Sequence, residues 1–198
     1  MFWNLFIQSL LKLEHKLKKK IVLRNYQSPG DILMLTVVIR ELAIKYSDKF
    51  IIDARTTYPE ITFNNPYLTH IDNNDPEVEF INMSYTEEMQ SASETGNHFS
   101  DGFISFLNDY LNLNIKKTSM FPDIFLTDDE KDREKVLSKY GIDPNEKFWM
   151  FNAGFKVDMP LKAWIPEYWQ ETIDLLNMYN IPIYQVGSTD HIHHEFTK

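Results

Sequence analysis

Ile21-Val22-Leu23-Arg24-Asn25-Tyr26-Gln27-Ser28-Pro29-Gly30-Asp31-Ile32-Leu33 is the stretch on which the fold turns. It opens with a short apolar run that suits a buried strand. It then passes through Asn, Ser, Pro and Gly, the residues of a turn. After the turn the spacing changes: Ile32, Leu35, Ile39, Leu42 and Tyr46 form one helical stripe with Val38 beside it. Phe50-Ile51-Ile52 follows as a second buried strand ending at Asp53. Strand, helix and strand joined by short links are the signature of a βαβ unit in a parallel sheet.

Outward from this unit the alternation continues. A short helix or turn at 59–63 leads to Asn65-Pro66, and a weaker strand is predicted over 79–82. Residues 83–100 are polar and poorly periodic, so they predict a long loop. Phe103, Phe106, Leu107, Tyr110 and Leu111 mark a helix capped by Ser100 or Asp101, and 121–126 reads as extended. From Thr127 to Tyr140 a charged helix is predicted, with Thr127 as its cap and Gly141 as its stop. A second unit begins near Lys147 with the strand Phe148-Trp149-Met150-Phe151 and the turn Asn152-Ala153-Gly154. Its helix has Pro166 in the first turn and a stripe of Ile165, Trp169, Ile173, Leu176 and Tyr179. The strand 181–186 and the turn Gly187-Ser188-Thr189-Asp190 come next. The expected organisation is α/β: an amphipathic basic helix at 1–20, a Rossmann-like domain at 21–126, a linking helix at 127–146, and part of a second domain at 147–198.

The 198 residues are 43% hydrophobic and 25% charged, ordinary for a folded chain, and they include no cysteine. That excludes disulfide scaffolds, thiolate metal sites and cysteine nucleophiles. A net charge of -9 argues against a duplex-binding protein, so no nucleic-acid partner is expected. The charge is uneven, because residues 1–20 carry +4 and the rest -13. Lys12, Lys16, Lys18, Lys19 and Lys20 accompany Phe2, Phe6, Leu10, Leu13 and Leu17 at helical spacing. Two readings of this segment stand side by side: contact with an anionic membrane surface, or packing on the chain's own domain. Its charges follow the apolar part and no small-residue cleavage site follows, so it is not read as a signal peptide. A cytoplasmic location is the expectation, and the membrane-contact reading would make it peripheral at the inner membrane face.

Three glycines, Gly30, Gly154 and Gly187, fall directly after predicted strands. Ligands of open parallel sheets bind outside the carboxyl ends of the strands, where glycine lets backbone N–H groups approach a phosphate. Ordinary turn chemistry would place glycine at the same spots. The P-loop, the dinucleotide fingerprint and the nucleophile elbow are all missing, which disfavours the enzymes that carry them. Asp31 can be a helix cap worth about 1 kcal/mol, or a carboxylate general base aimed into a cleft. His191, His193 and His194 are the one metal-like cluster, read as a solvated tail, so no metal site is expected. His98 reads as a surface residue with acceptor-side potential. Trp164 and Trp169 read as helix packing, with Trp164 also able to line a cleft.

The stretch Pro29-Gly30-Asp31-Ile32-Leu33-Met34-Leu35-Thr36, together with Asn65-Pro66-Tyr67-Leu68-Thr69-His70-Ile71, resembles the start of the ADP-heptose:lipopolysaccharide heptosyltransferase family, glycosyltransferase family 9. Asn152-Ala153-Gly154, Lys162-Ala163-Trp164-Ile165-Pro166 and Ile183-Tyr184-Gln185-Val186-Gly187 resemble the opening of that family's nucleotide-binding domain. The resemblance implies a GT-B fold and an inverting, metal-independent sugar transfer from a nucleotide diphosphate-sugar to a glycan or lipid-linked hydroxyl. No cofactor beyond that donor is implied. Asp31 matches the family's Gly-Asp carboxylate, a base for the acceptor hydroxyl, and Lys162 matches the lysine facing the donor diphosphate. Gly30, Gly154 and Gly187 would line the phosphates, and Asp190 would meet the nucleoside. The family's later Asp-Ser-Gly-x-x-His segment is absent, so the chain is expected to lack most of a donor domain. The alternative is a non-catalytic α/β module, a degenerate or truncated relative that binds a partner or glycan. A flavodoxin-like nucleotide binder is a third reading.

Overall fold

The computed structural model describes residues 18–84, 87–154, 162–187, 191–195 and 197. The chain divides into two compact units, Met1–Asp128 and Asp129–Lys198. The helix expected over 1–20 lies outside the described residues up to 17. Lys19 and Lys20 already belong to the first strand.

Unit 1 is built on the expected βαβ. Strand β1 (Lys19–Asn25) pairs in parallel with β2 (Phe50–Thr56), and helix α1 (Pro29–Lys45) connects them. Strand β3 (Val78–Asn82) pairs in parallel with the other side of β1, giving the order β2-β1-β3. Ile21, Leu23, Ile52 and Ile81 pack with Leu35, Val38, Ile39 and Leu42 of α1. Central β1 is buried because it has neighbours on both edges and is covered on its faces, as its unbroken apolar run requires. The segment after β2 returns along that strand's edge: Thr69 N–H donates to Ile52 O (2.8 Å) and Ile71 N–H to the buried Asp53 Oδ2 (2.7 Å). A sheet edge covered in this way cannot recruit further strands.

The region 83–100 corrects the loop expectation, because it contains helix α2 (Glu87–Glu94) packed against α3 (Phe99–Leu111). The α3 cap is likewise neither Ser100 nor Asp101. His98 is the cap: its Nδ1 accepts from Ser100 N–H (3.3 Å), while Asp101 Oδ2 accepts from His98 N–H (3.1 Å). Beyond α3, residues 118–123 are strapped to α1 by a largely buried ion network. Arg40 donates to Asp123 Oδ2 (2.6 Å), Phe121 O (2.9 Å) and Ser119 O (2.9 Å). Glu41 Oε1 accepts from Arg40 (3.0 Å) and from Thr118 N–H and Oγ1–H (3.0 and 2.7 Å).

In place of one linking helix there are two short ones, α4 (Asp128–Lys131) and α5 (Arg133–Ser138). Asp132 breaks them, because its side chain accepts from Lys135 N–H (3.1 Å) and starts a new helix. Gly141 at φ 68° ends the region in the left-handed conformation, as expected of a helix stop. In unit 2, β4 (Trp149–Phe151) pairs in parallel with β5 (Ile183–Gln185), and α6 (Pro166–Asn177) lies between them in sequence. Among the described residues no helix is long and apolar enough to cross a membrane.

Candidate functional site

In unit 1 the order β2-β1-β3 places β1 where the chain switches from adding strands on one side to adding them on the other. The crevice outside the carboxyl ends of β1 and β3 is where such sheets bind ligands. Asn25 ends β1 fully buried and holds the crevice floor together. Its Nδ2 donates to Met83 O beyond β3 (3.0 Å), and its Oδ1 accepts from Gln27 N–H (3.0 Å). Met83 N–H donates back to Arg24 O (2.7 Å). This clamp on the β1–α1 turn was invisible in the sequence, where Asn25 read only as a turn residue.

Gly30 and Asp31 follow that turn in the first turn of α1, with Gly30 exposed and Asp31 half-buried. Ser28 N–H donates to Asp31 Oδ2 (3.0 Å), which fixes the carboxylate as part of the helix cap. The side chain is therefore oriented at the strand mouth and still partly open to solvent. A carboxylate so placed can accept a proton from a hydroxyl brought into the crevice. The stretch Asn65–Ile71 has a different role. Buried Asn65 turns the chain by accepting from Tyr67 N–H (3.0 Å), and Tyr67 meets Phe125 edge-on at 6.1 Å.

In unit 2 the structure brings Gly154 and Gly187 together at the carboxyl ends of β4 and β5. The link is the ring of His191. A Cβ on Gly154 would overlap its Cε1 and Nδ1, and one on Gly187 would fall 2.6 Å from Nδ1 and 3.2 Å from Asn152 Oδ1. Gly154 N–H donates to Asn152 Oδ1 (2.8 Å). Lys162 is exposed, and Asp190 lies outside the described residues. The solvated-tail expectation holds for His193, which is exposed, and is corrected for half-buried His191 and for His194. His194 is buried, its N–H donates to Gln185 Oε1 (3.0 Å), and its ring lies tilted against Phe151 with centroids 6.2 Å apart. Phe151 in turn packs on Trp169 (5.4 Å), and Trp169 on the half-exposed Trp164 (5.0 Å). His98 is committed to its capping role. Among the described residues no group of three or more His, Asp and Glu side chains is placed to hold a metal.

Parallel strands in two α/β units, with candidate polar groups at strand mouths in each, define a GT-B-like chain: one Rossmann-like domain and the opening of a second. No family model and no curated protein matches it in sequence. Solved structures match its fold. One is a family 9 glycosyl transferase from Veillonella parvula DSM 2008, with a TM-score of 0.59 at 15% identity, covering 86% of this chain and 63% of that one. Another is the E. coli ADP-heptose LPS heptosyltransferase II, with a TM-score of 0.51 at 14% identity, covering 86% of this chain and 65% of that one. The chain thus shares the fold of these glycosyltransferases and spans about two thirds of their length.

Proposed function

We propose that the chain is the acceptor domain and the first part of the donor domain of a glycosyltransferase that uses a nucleotide diphosphate-sugar. The observation that carries this reading is the position of Asp31: a fixed, partly open carboxylate at the switch point of a sheet whose fold matches glycosyltransferases. In the proposed reaction Asp31 takes the proton of an acceptor hydroxyl on a glycan or lipid-linked glycan. The oxygen attacks the anomeric carbon of the donor sugar as the bond from that carbon to the diphosphate oxygen breaks. The electron pair leaves with the diphosphate, where the Lys162 ammonium stabilises the charge. The transfer inverts the anomeric carbon and needs neither a metal nor a cofactor beyond the donor. A heptose-like sugar is the transferred group.

The experiment is donor turnover by the chain, compared with its Asp31→Asn and Lys162→Ala variants. Loss of general-base catalysis lowers kcat by about 10²–10⁴. Full activity in both variants sinks the roles assigned here. One observation favours a second reading, a non-catalytic binding module: the Ser28 N–H contact gives Asp31 a purely structural use. On that reading Asp31→Asn costs about 1 kcal/mol of stability and changes no other property.

A further inference from the structure

Asn25 stands where the strand pattern calls for an apolar side chain. The alternate β1 residues Ile21 and Leu23 enter the core under α1, and Asn25 continues their row with no exposed surface. A buried amide is costly unless its polar atoms are bonded, and here both ends are. Nδ2 reaches sideways to the exit of β3, donating to Met83 O, and Oδ1 reaches forward to the β1–α1 turn, accepting from Gln27 N–H, each at 3.0 Å. Arg24 and Asn82 are the last paired residues of the β1–β3 ladder, so the amide carries the tie one residue beyond the sheet. Met83 is a firm anchor, because its own N–H donates to Arg24 O (2.7 Å).

The turn passes this anchorage on to Asp31. Ser28, next to Gln27, donates its N–H to Asp31 Oδ2 (3.0 Å), and its carbonyl accepts from Asp31 N–H (3.0 Å). Tyr26, the first residue of the turn, is 61% exposed, so the packing of that side chain does not seat the turn. A group that takes a proton in the transition state needs close aim, since a misplacement of about 1 Å can cost about 10²-fold.

We propose that Asn25 is a positioning residue for Asp31: through the β1–α1 turn, its amide fixes the carboxylate to the exit of β3. The proposal rests on the reading of Asp31 as the base. Its test is a double-mutant cycle on the whole chain. The probe reaction is release of nucleoside diphosphate from ADP-, GDP- or UDP-glucose, with water in the place of the acceptor hydroxyl. Asn25→Ala is expected to lower kcat tenfold or more and to change the donor KM less than twofold, because it acts on the base and not on donor binding. In the Asp31→Asn background the same substitution is expected to cost nothing further, because no base remains to be aimed. Asn25→Ser, whose hydroxyl can accept from Gln27 N–H in the same turn, is expected to recover part of kcat. Where Asn25→Ala fails to fold, which thermal melting shows, Asn25→Ser carries the same cycle. An equal fractional loss in both backgrounds, or no loss in the Asp31 background, overturns the proposal while Asp31 keeps its role. Wild-type kcat in Asp31→Asn, or turnover of none of the three donors by the wild-type chain, overturns the base reading and the proposal with it.

Discussion

Unit 1 encloses a large apolar core, although Phe63 and Phe121 stay exposed, and unit 2 encloses very little, although both are α/β pieces read from the same kind of pattern. Ile21, Leu23, Leu35, Ile39, Leu42, Phe103 and Leu107 are fully buried in unit 1. In unit 2, among the described residues, Ile173 and Ile183 are the buried apolar side chains, while Met150, Leu175, Met178 and Tyr179 are each more than 60% exposed. The reason is the number of neighbours. A central strand flanked on both edges and packed by α1 is enclosed, whereas two short strands with one helix leave a face open. On that face a cavity of about 610 Å³ opens beside α5, lined by Leu137, Tyr140, Phe148, Met150 and Tyr184. Two strands alone are marginal, and three with a packed helix are the working minimum. Hydrophobic pattern thus predicts which face would be buried, and topology decides whether it is.

The largest expected effects test this contrast directly. Phe103→Ala removes a fully buried ring and should cost about 3–5 kcal/mol. Ile173→Ala should cost about 2 kcal/mol, the low end for such a truncation, because an open unit relaxes around the gap. Trp149, Trp164 and Trp169 lie in unit 2 and Trp3 in unit 1, so in a Trp3→Phe background tryptophan fluorescence follows unit 2. Far-UV circular dichroism is weighted to the long helices α1 and α3 of unit 1. Urea titration should show fluorescence changing before dichroism, and Phe103→Ala should move the dichroism transition alone. Coincident transitions in the wild type would break the comparison, since they mean that the units unfold as one.

A smaller effect sharpens the contrast electrostatically. Burial pushes the Glu41 carboxyl upward, but the Thr118 hydrogen bonds and the Arg40 guanidinium outweigh it and hold it below the usual range. Because the folded value lies below the unfolded one, Glu41 contributes fully above the ordinary carboxylate range. The contribution fades as pH falls through the folded value. Glu41→Gln should cost about 1.5–3 kcal/mol at neutral pH, the worth of hydrogen bonds to a charged group, and should flatten the acid limb of unit 1 stability. Melting curves between pH 7 and pH 3, followed by dichroism, decide it. An unchanged acid slope in the variant removes the network from the account of unit 1.

The parts that were legible in the sequence were those governed by period and by turn chemistry: β1, α1, β2, the two βαβ units and the parallel sheet. What was not legible depended on tertiary partners. Helix α2 is polar and weakly periodic, and it forms against α3. His98 caps α3 although histidine is not a favoured capping residue. Asp132 splits the charged helix because its side chain competes with the backbone. Asp31 and Gly30 were found where expected, at the mouth of β1, whereas His191 was read as tail. Its ring sits between two glycines thirty-odd residues apart that meet at neighbouring strand ends, and no local pattern reports such a meeting.

The smallest expected effect is one that should ignore the difference between the units. Asn112 (φ 50°) ends α3 in unit 1, and Gly141 (φ 68°) ends the linker helices in unit 2. Both positions need the left-handed region, which costs a side-chain-bearing residue about 1 kcal/mol relative to glycine. A Cβ on Gly141 would meet nothing within 4 Å, so its cost is backbone strain alone. Gly141→Ala should therefore destabilise unit 2 by about 1 kcal/mol, and Asn112→Gly should leave unit 1 unchanged or a few tenths of a kcal/mol more stable. Denaturant midpoints read by fluorescence for the first and by dichroism for the second measure the pair. If Gly141→Ala instead costs as much as Ile173→Ala, then unit 2 is held together by its chain turns more than by its packing. The contrast between the units would then lie in backbone geometry, and burial would be its consequence.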